Sequence, residues 1–357
     1  MFRPIPRLIA VLACALLPVA DLVCVAAEDE PLTDLQVERA LEAIWLKTPA
    51  PEQRSPDSAK RAALEAYLHR LGPGTALLSA AETAPLKEAD FAPLRFHSEM
   101  LPGSTGYIRL GAFTEELPVR LDPVLRDFAQ MGARSVILDV RATPAQGSLA
   151  LAAEVAGSFL PADTQVFSVR TSERPAETLR TKKAAPARFR LIVLTGQRTA
   201  GPVEALAASL RAQSGATILG VSTQGQAADF EVIPLGKEAF LRLPVREAIV
   251  PGAPGLVPDG LHPDIICSAT PEATDAALWR ASQEGRVSPL LKQTERPRLN
   301  EAALVAGENP ETEAWIQAQL RRGKPQPEPM PRDAALTMAM DFLMAWESLY
   351  GKTQVLP

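Results

Sequence analysis

The apolar positions of this chain change period repeatedly between residues 106 and 266. Ile108 and Leu110 sit two apart, as on one face of a strand. Leu117, Leu121, Val124, Leu125 and Phe128 then recur at helical spacing. Ser135 to Val140 is a short β-rich run, and the Ala-rich apolar stretch from Leu149 to Phe159 predicts a buried helix. Val166–Val169 and Leu191–Leu194 read as strands, and Pro202 to Arg211 as a helix with proline in its first turn, where its fixed φ suits the helix start. Thr217–Leu219, Phe230–Ile233 and Phe240–Val245 complete the set. Strands that alternate with helices predict an α/β core.

Both flanks read as helical. Thr33-Asp34-Leu35-Gln36 has capping-box spacing and predicts a helix to about Trp45. The proline-rich residues 48–57 break it. A second helix runs from Ser58 to about Arg70, with Leu64, Tyr67 and Leu68 on one side, and stops at Gly72-Pro73-Gly74. After Ile266 the pattern predicts helices over Ala273–Ser282, residues 311–322 and Asp333 to about Leu349, with residues 323–332 as a Pro-rich extended linker. The last helix carries Leu336, Met340, Leu343, Met344 and Trp346, a stripe suited to packing on the domain or to docking a partner.

Composition narrows the class. A net charge of −5 with no basic block leaves no nucleic-acid footprint. Arg3 and Arg7 precede an apolar stretch from Leu8 to about Val19, and Val25-Ala26-Ala27 suits signal-peptidase cleavage, so residues 1–27 read as an export signal and the chain as exported or periplasmic. Membrane retention is the alternative. Cys14 and Cys24 fall in that signal, which leaves Cys267 alone and excludes an internal disulfide. Beside Ile265 and Ile266, Cys267 reads as a buried apolar filler. Three scattered histidines and one cysteine give no metal-ligand spacing, and no cofactor is expected.

The candidate chemistry lies in two stretches. Residues 191–204 read L-I-V-L-T-G-Q-R-T-A-G-P-V-E, a strand feeding a turn and then a helix, and residues 220–226 read G-V-S-T-Q-G-Q. Gly106-Tyr107-Ile108-Arg109, Asp139-Val140-Arg141, Phe159-Leu160-Pro161, Thr223 with Gly225, and Gly260-Leu261-His262-Pro263-Asp264 keep order with them. In that order and spacing the chain resembles the tail-specific (C-terminal processing) serine peptidases. The resemblance implies a ClpP/crotonase-like sheet-and-helix core over 101–268, preceded by an N-terminal helical segment over 28–100 and followed by C-terminal helices over 269–357. Leu71 to Glu82 is similar to that family's run closing the N-terminal helices. The family's PDZ domain, roughly 80–100 residues and within the usual domain range, does not fit in the stretch between Glu82 and Gly106.

Laid on Glu204, the resemblance puts the family's nucleophilic Ser at Gly201 and its general-base Lys, 25 residues on, at Gln226. Glycine offers no nucleophile, and an amide is a poor base. The oxyanion donor after the nucleophile falls on Pro202, which has no N–H. The second oxyanion loop reads Asp139 to Gly147, altered at Ala145, Gln146 and Gly147 and one residue longer. The implied function is an inactive protease homologue that binds a polypeptide segment or an active protease relative, with the oligomeric state open. The alternative is an active hydrolase with displaced residues, for which Thr199, Ser209 and Ser222 supply hydroxyls and His69, His97 and His262 the imidazoles; Lys237 lies in a loop off the matching spacing. Gly201 reads as a helix N-cap, and Arg141, Arg198 and Thr199 as weak candidates for binding an anion there. For Arg141 a structural ion pair is the competing reading.

Overall fold

A computed structural model describes residues 33–47, 56–84, 92–172, 175–291 and 332–350. The expected export signal over 1–27, the helix over 311–322 and linker residues 323–331 lie outside these. The chain divides into two compact units, residues 1–63 and 64–357. In the first, helix α1 (Asp34–Lys47) is capped as expected, Thr33 N–H donating to Gln36 Oε1 at 2.8 Å and Gln36 N–H to Thr33 Oγ1 at 3.3 Å. Helix α2 (Pro56–Leu71) begins in the first unit and ends in the second. Leu68 is buried, while Tyr67 is exposed rather than sharing an apolar face with it.

The second unit holds two sheets. Strand β1 (Ala76–Ser79) follows the Gly72–Gly74 turn. Strands β2 (His97–Leu101), β3 (Thr105–Arg109), β4 (Ser135–Asp139), β5 (Gln165–Arg170), β6 (Glu177–Arg180), β7 (Arg190–Thr195), β8 (Thr217–Gly220), β9 (Ala228–Pro234), β10 (Ala239–Ile249) and β11 (Ile265–Ile266) complete the set. The larger sheet has the order β11-β8-β7-β4-β3-β2. Its strands are parallel except β2, which runs antiparallel to β3. The smaller sheet has the order β1-β10-β5-β6, with β9 also paired to β10.

Helices α3 (Leu117–Gln130), α4 (Leu149–Ala156), α5 (Pro202–Ser214), α6 (Pro271–Glu284) and α7 (Ala334–Tyr350) cover the larger sheet. Period-two alternation divides its strands between two cores. Ile108, Val136, Leu138, Leu191, Val193 and Ile218 pack with α3, α4 and α5. Tyr107, Ile137, Ile192, Leu194 and Leu219 pack with α6 and α7. This is an α/β fold. In α7, Leu336, Met340 and Leu343 are buried and Met344 is exposed, so the stripe serves mainly as packing. Cys267 is buried among the second group.

Two parts of the expected helical segment over 28–100 are strands. Residues 76–79 pair with β10, and residues 97–101 with β3. His97, expected in a polar connection, is on β2, with Nε2 3.4 Å from Glu99 Oε2. Burial, partly opposed by Glu99, holds its imidazole below the ordinary pKa.

Candidate functional site

The carboxyl end of β7 runs through a tight turn into α5. Thr199 fixes that turn: its hydroxyl donates to Val140 O at 2.9 Å and accepts from Gly196 N at 3.0 Å. It is fully buried and both roles are used, so it presents no nucleophile. Ser209 is equally buried and bonds Val166 O and Ala205 O. Gly201 is the N-cap of α5, as expected, with φ +78° and ψ −146°, a region that is nearly glycine-only.

Glu204, one turn into α5, organises everything around it. It is fully buried, and among the described residues no cation lies beside it. Its Oε1 accepts from Gly201 N and Gln226 N, both at 2.8 Å, and its Oε2 from Gly225 N at 2.7 Å and the Thr223 hydroxyl at 2.5 Å. The Thr223 hydroxyl in turn accepts from Leu261 N at 2.8 Å. Burial raises the Glu204 pKa above the ordinary value, and the four donors only partly offset it. Gly225 lets the loop come this close: a Cβ there would fall 1.9 Å from Pro258 O. Because Gly201 N and Gln226 N bond the same oxygen, the two positions are neighbours in space, separated by no more than twice one hydrogen bond.

What fills the space between them is not catalytic. A Cβ on Gly201 would lie 2.9 Å from Ala145 Cα, so the loop from Arg141 to Gly147 occupies the place of a side chain. Gln146 N–H bonds Pro144 O at 2.7 Å and Ala200 N–H bonds Thr143 O at 3.3 Å, so neither is available as an oxyanion donor. Gln226 Nε2 donates to Gln224 Oε1 at 2.6 Å, and Gln224 Nε2 to Gln197 O at 2.7 Å. These amides form a polar strap across the mouth. The hollow beside it, lined by Ala142, Pro144, Ala145, Arg198, Ala200 and Gln224, measures about 120 Å³. A second, on the other side of the 196–200 turn, reaches about 190 Å³ and includes Gly196, Gly220 and Cys267. Pockets that enclose a drug-sized ligand run to about 300–1,000 Å³.

The two arginines proposed for an anion are committed elsewhere. Arg141 is buried between Asp139 and Asp333. Its Nε bonds Asp139 Oδ1 at 2.9 Å, and Nη1 and Nη2 reach the Asp333 carboxylate at 2.8 and 2.7 Å. Tyr107 adds a 2.7 Å bond to Asp139. Burial pushes Asp139 up, but the Arg141 charge and these bonds outweigh it and hold it below its ordinary value. Asp333 also caps α7, accepting from Leu336 N at 2.9 Å, so the cluster ties that helix to β4. Arg198 pairs with Asp275, the shortest contact 2.7 Å. Of the anion site expected at Arg141, Arg198 and Thr199, both arginines line the larger hollow but each is already ion-paired, as the competing reading for Arg141 has it, and the Thr199 hydroxyl is bound in the turn.

Ser222 and His262 do come together, Oγ 2.9 Å from Nδ1, on the surface. No spacing rule linked these residues, since they lie on separate loops joined only by the fold. His69 lies on α2 and Lys237 between β9 and β10.

The family model for peptidase family S41 matches residues 104–267, a stretch that contains β3 to β11, the Glu204 helix and its loops. Residues 104–267 form a peptidase family S41 domain. Among the relatives of this domain, a carboxyl-terminal-processing protease of Synechocystis is 30% identical over 46% of this chain and 38% of its own length. The carboxy-terminal processing protease CtpA of Bacillus subtilis is 25% identical over 36% of this chain and 28% of its own. The chain thus spans about two fifths or less of the curated relatives it matches. Among solved structures, the photosystem II D1 C-terminal processing protease aligns with a TM-score of 0.45 and 20% identity, covering 58% of this chain and 54% of that one. Among the described residues no helix is long and apolar enough to cross a membrane, and no group of three His, Cys, Asp or Glu could hold a metal ion.

Proposed function

We infer that this S41-family chain is exported and catalytically inactive, and that it holds polypeptide segments across the old cleft instead of cutting them. The observation that carries the reading is the pair Gly201 and Gln226, set side by side by Glu204 where a nucleophile and a base would have to stand. Neither can perform the step: one has no side chain, and the other cannot take a proton near neutral pH. Pro202 supplies no oxyanion donor and Ala145 fills the vacated space. Losing one oxyanion donor alone can cost about 2.7–4 kcal/mol of transition-state stabilisation. Export rests on the signal-like residues 1–27. Docking on an active relative belongs to the same reading. Incubation with an unfolded polypeptide, followed by mass spectrometry of what remains bound, tests it: the polypeptide is expected back intact, and recovery of shortened products would sink the reading.

One contact favours a second reading, an active hydrolase. Ser222 Oγ lies 2.9 Å from His262 Nδ1, within reach for proton transfer. In this reading Ser222→Ala abolishes turnover.

A further inference from the structure

Arg242 lies on β10 beside the former base position and is half-buried. The guanidinium stacks on Phe230, its carbon 3.9 Å from the ring centroid. Its Nη1 donates to Gly74 O at 3.1 Å and reaches Gln226 Oε1 at 3.4 Å. Among the described residues no carboxylate pairs with it, although Arg141, Arg170, Arg180, Arg198 and Arg246 all have one. The residues that share its face of the sheet are Phe230, Val232 and Pro234 on β9 and Ala76 and Leu78 on β1, none of them acidic. Among the described residues Nε and Nη2 make no hydrogen bond, and neither is a fully buried unpartnered atom. Burial without a counter-charge lowers its pKa somewhat from a value so high that it stays protonated.

These facts describe a planar cation already oriented for a planar anion. Stacking on Phe230 and the Gly74 bond restrict the side chain, so little rotamer freedom is left to lose on binding. The open Nε–Nη2 edge matches the two oxygens of a carboxylate. Nη1, opposite that edge, is the atom that contacts Gln226, so the guanidinium stands at the rim of the vacated cleft, at the end of the strap formed by Gln224 and Gln226, with its free edge directed away from Gln226. We propose that Arg242 is the carboxylate-binding anchor of the vacated cleft, engaging through Nε and Nη2 either the terminal carboxylate of a polypeptide or an acidic side chain within one. This rests on the peptide-binding reading above and names the group it recognises.

The test uses the full chain and three fluorescein-labelled decapeptides without other acidic residues: one with a free C-terminus, its C-terminal amide, and that amide carrying one internal Asp. Fluorescence anisotropy is measured for wild type, Arg242→Gln and Arg242→Lys, with thermal unfolding to show that each variant folds. Tight binding of the free acid alone assigns the terminal carboxylate; binding of the Asp-containing amide as well assigns the side chain. In either case Arg242→Gln is expected to weaken binding tenfold or more. Arg242→Lys should recover only part, because a point charge replaces the fork. Equal affinity of wild type and Arg242→Gln would overturn the proposal while leaving peptide binding intact. If no peptide binds, the broader reading fails, and the anchor is judged separately. Phenylglyoxal labelling of Arg242, located by mass spectrometry, should then be suppressed by N-acetylglycine; unchanged labelling would overturn it.

Discussion

Two buried carboxylate networks stand on either side of the turn after β7, and they hold the protein together by opposite means. Around Glu204 no cation lies among the described residues: four neutral donors converge on one buried carboxyl group, and the pKa rises because burial wins. Around Arg141 the charges are paired, and Asp139 falls below its ordinary value despite complete burial. The first network fixes the 220–226 loop to the start of α5, and every one of its acceptors is occupied. The second ties the last described helix to β4 and commits four of its arginine's five N–H donors to the two carboxylates. A buried polar cluster next to an active-site position is therefore no evidence of activity; what matters is whether any donor or acceptor remains uncommitted.

The largest difference should appear when each network loses its centre. Arg141→Met leaves Asp139 and Asp333 facing each other without a counter-charge, and breaking a buried pair in this way costs about 3–5 kcal/mol. Denaturant unfolding should show that loss, with α7 the first element to lose protection from hydrogen exchange. Glu204→Gln should cost less, about 1–3 kcal/mol, since the amide keeps one acceptor but turns its NH2 toward existing donors.

The pH dependences separate the networks further. Glu204 has a raised folded pKa, so it favours the folded state while protonated. Its contribution declines as pH rises from the ordinary glutamate value through the raised one. Asp139 has a lowered folded pKa, so its contribution is present above the ordinary aspartate value and is lost as pH falls through the lowered one. The gap between wild type and Glu204→Gln should therefore narrow as pH is raised. A gap that widens with pH would show that the hub prefers the charged form.

Placing a Ser and a Lys at positions 201 and 226 should cost about as much stability as Glu204→Gln and give no activity. Gly201→Ser places a Cβ in a glycine-only backbone region and against Ala145, at a cost of about 1–3 kcal/mol. The double variant Gly201→Ser/Gln226→Lys is expected to fold but not to hydrolyse an unfolded polypeptide. Hydrolysis by that variant would show that the Arg141–Gly147 loop yields readily and that only the two side chains were missing.

Much of this was legible in the chain. The alternation from Ile108 to Val245 gave the α/β core because the strands of the larger sheet, β3, β4, β7 and β8, are buried on both faces and the helices between them show apolar positions at helical spacing. The closeness of Gly201 and Gln226, 25 residues apart in the chain, was expected from the resemblance and is seen in their shared bonds to Glu204. Strand β1 could not be read, since four residues after a Gly-Pro-Gly turn become a strand only by pairing with β10, some 160 residues later. The Arg141–Asp333 pair spans 192 residues and has no local signal. Arg198 was misread for the same reason, as its partner Asp275 is 77 residues away. Arg242 passed unnoticed because an arginine on a strand looks ordinary until its neighbours show that no acid faces it.

The most direct test is intact-mass spectrometry of the wild-type chain after prolonged exposure to a fluorophosphonate probe. The account predicts an unchanged mass, because no hydroxyl in the cleft is activated. A stoichiometric adduct would contradict it, and its mapping to Ser222 would make the Ser222–His262 contact the working site.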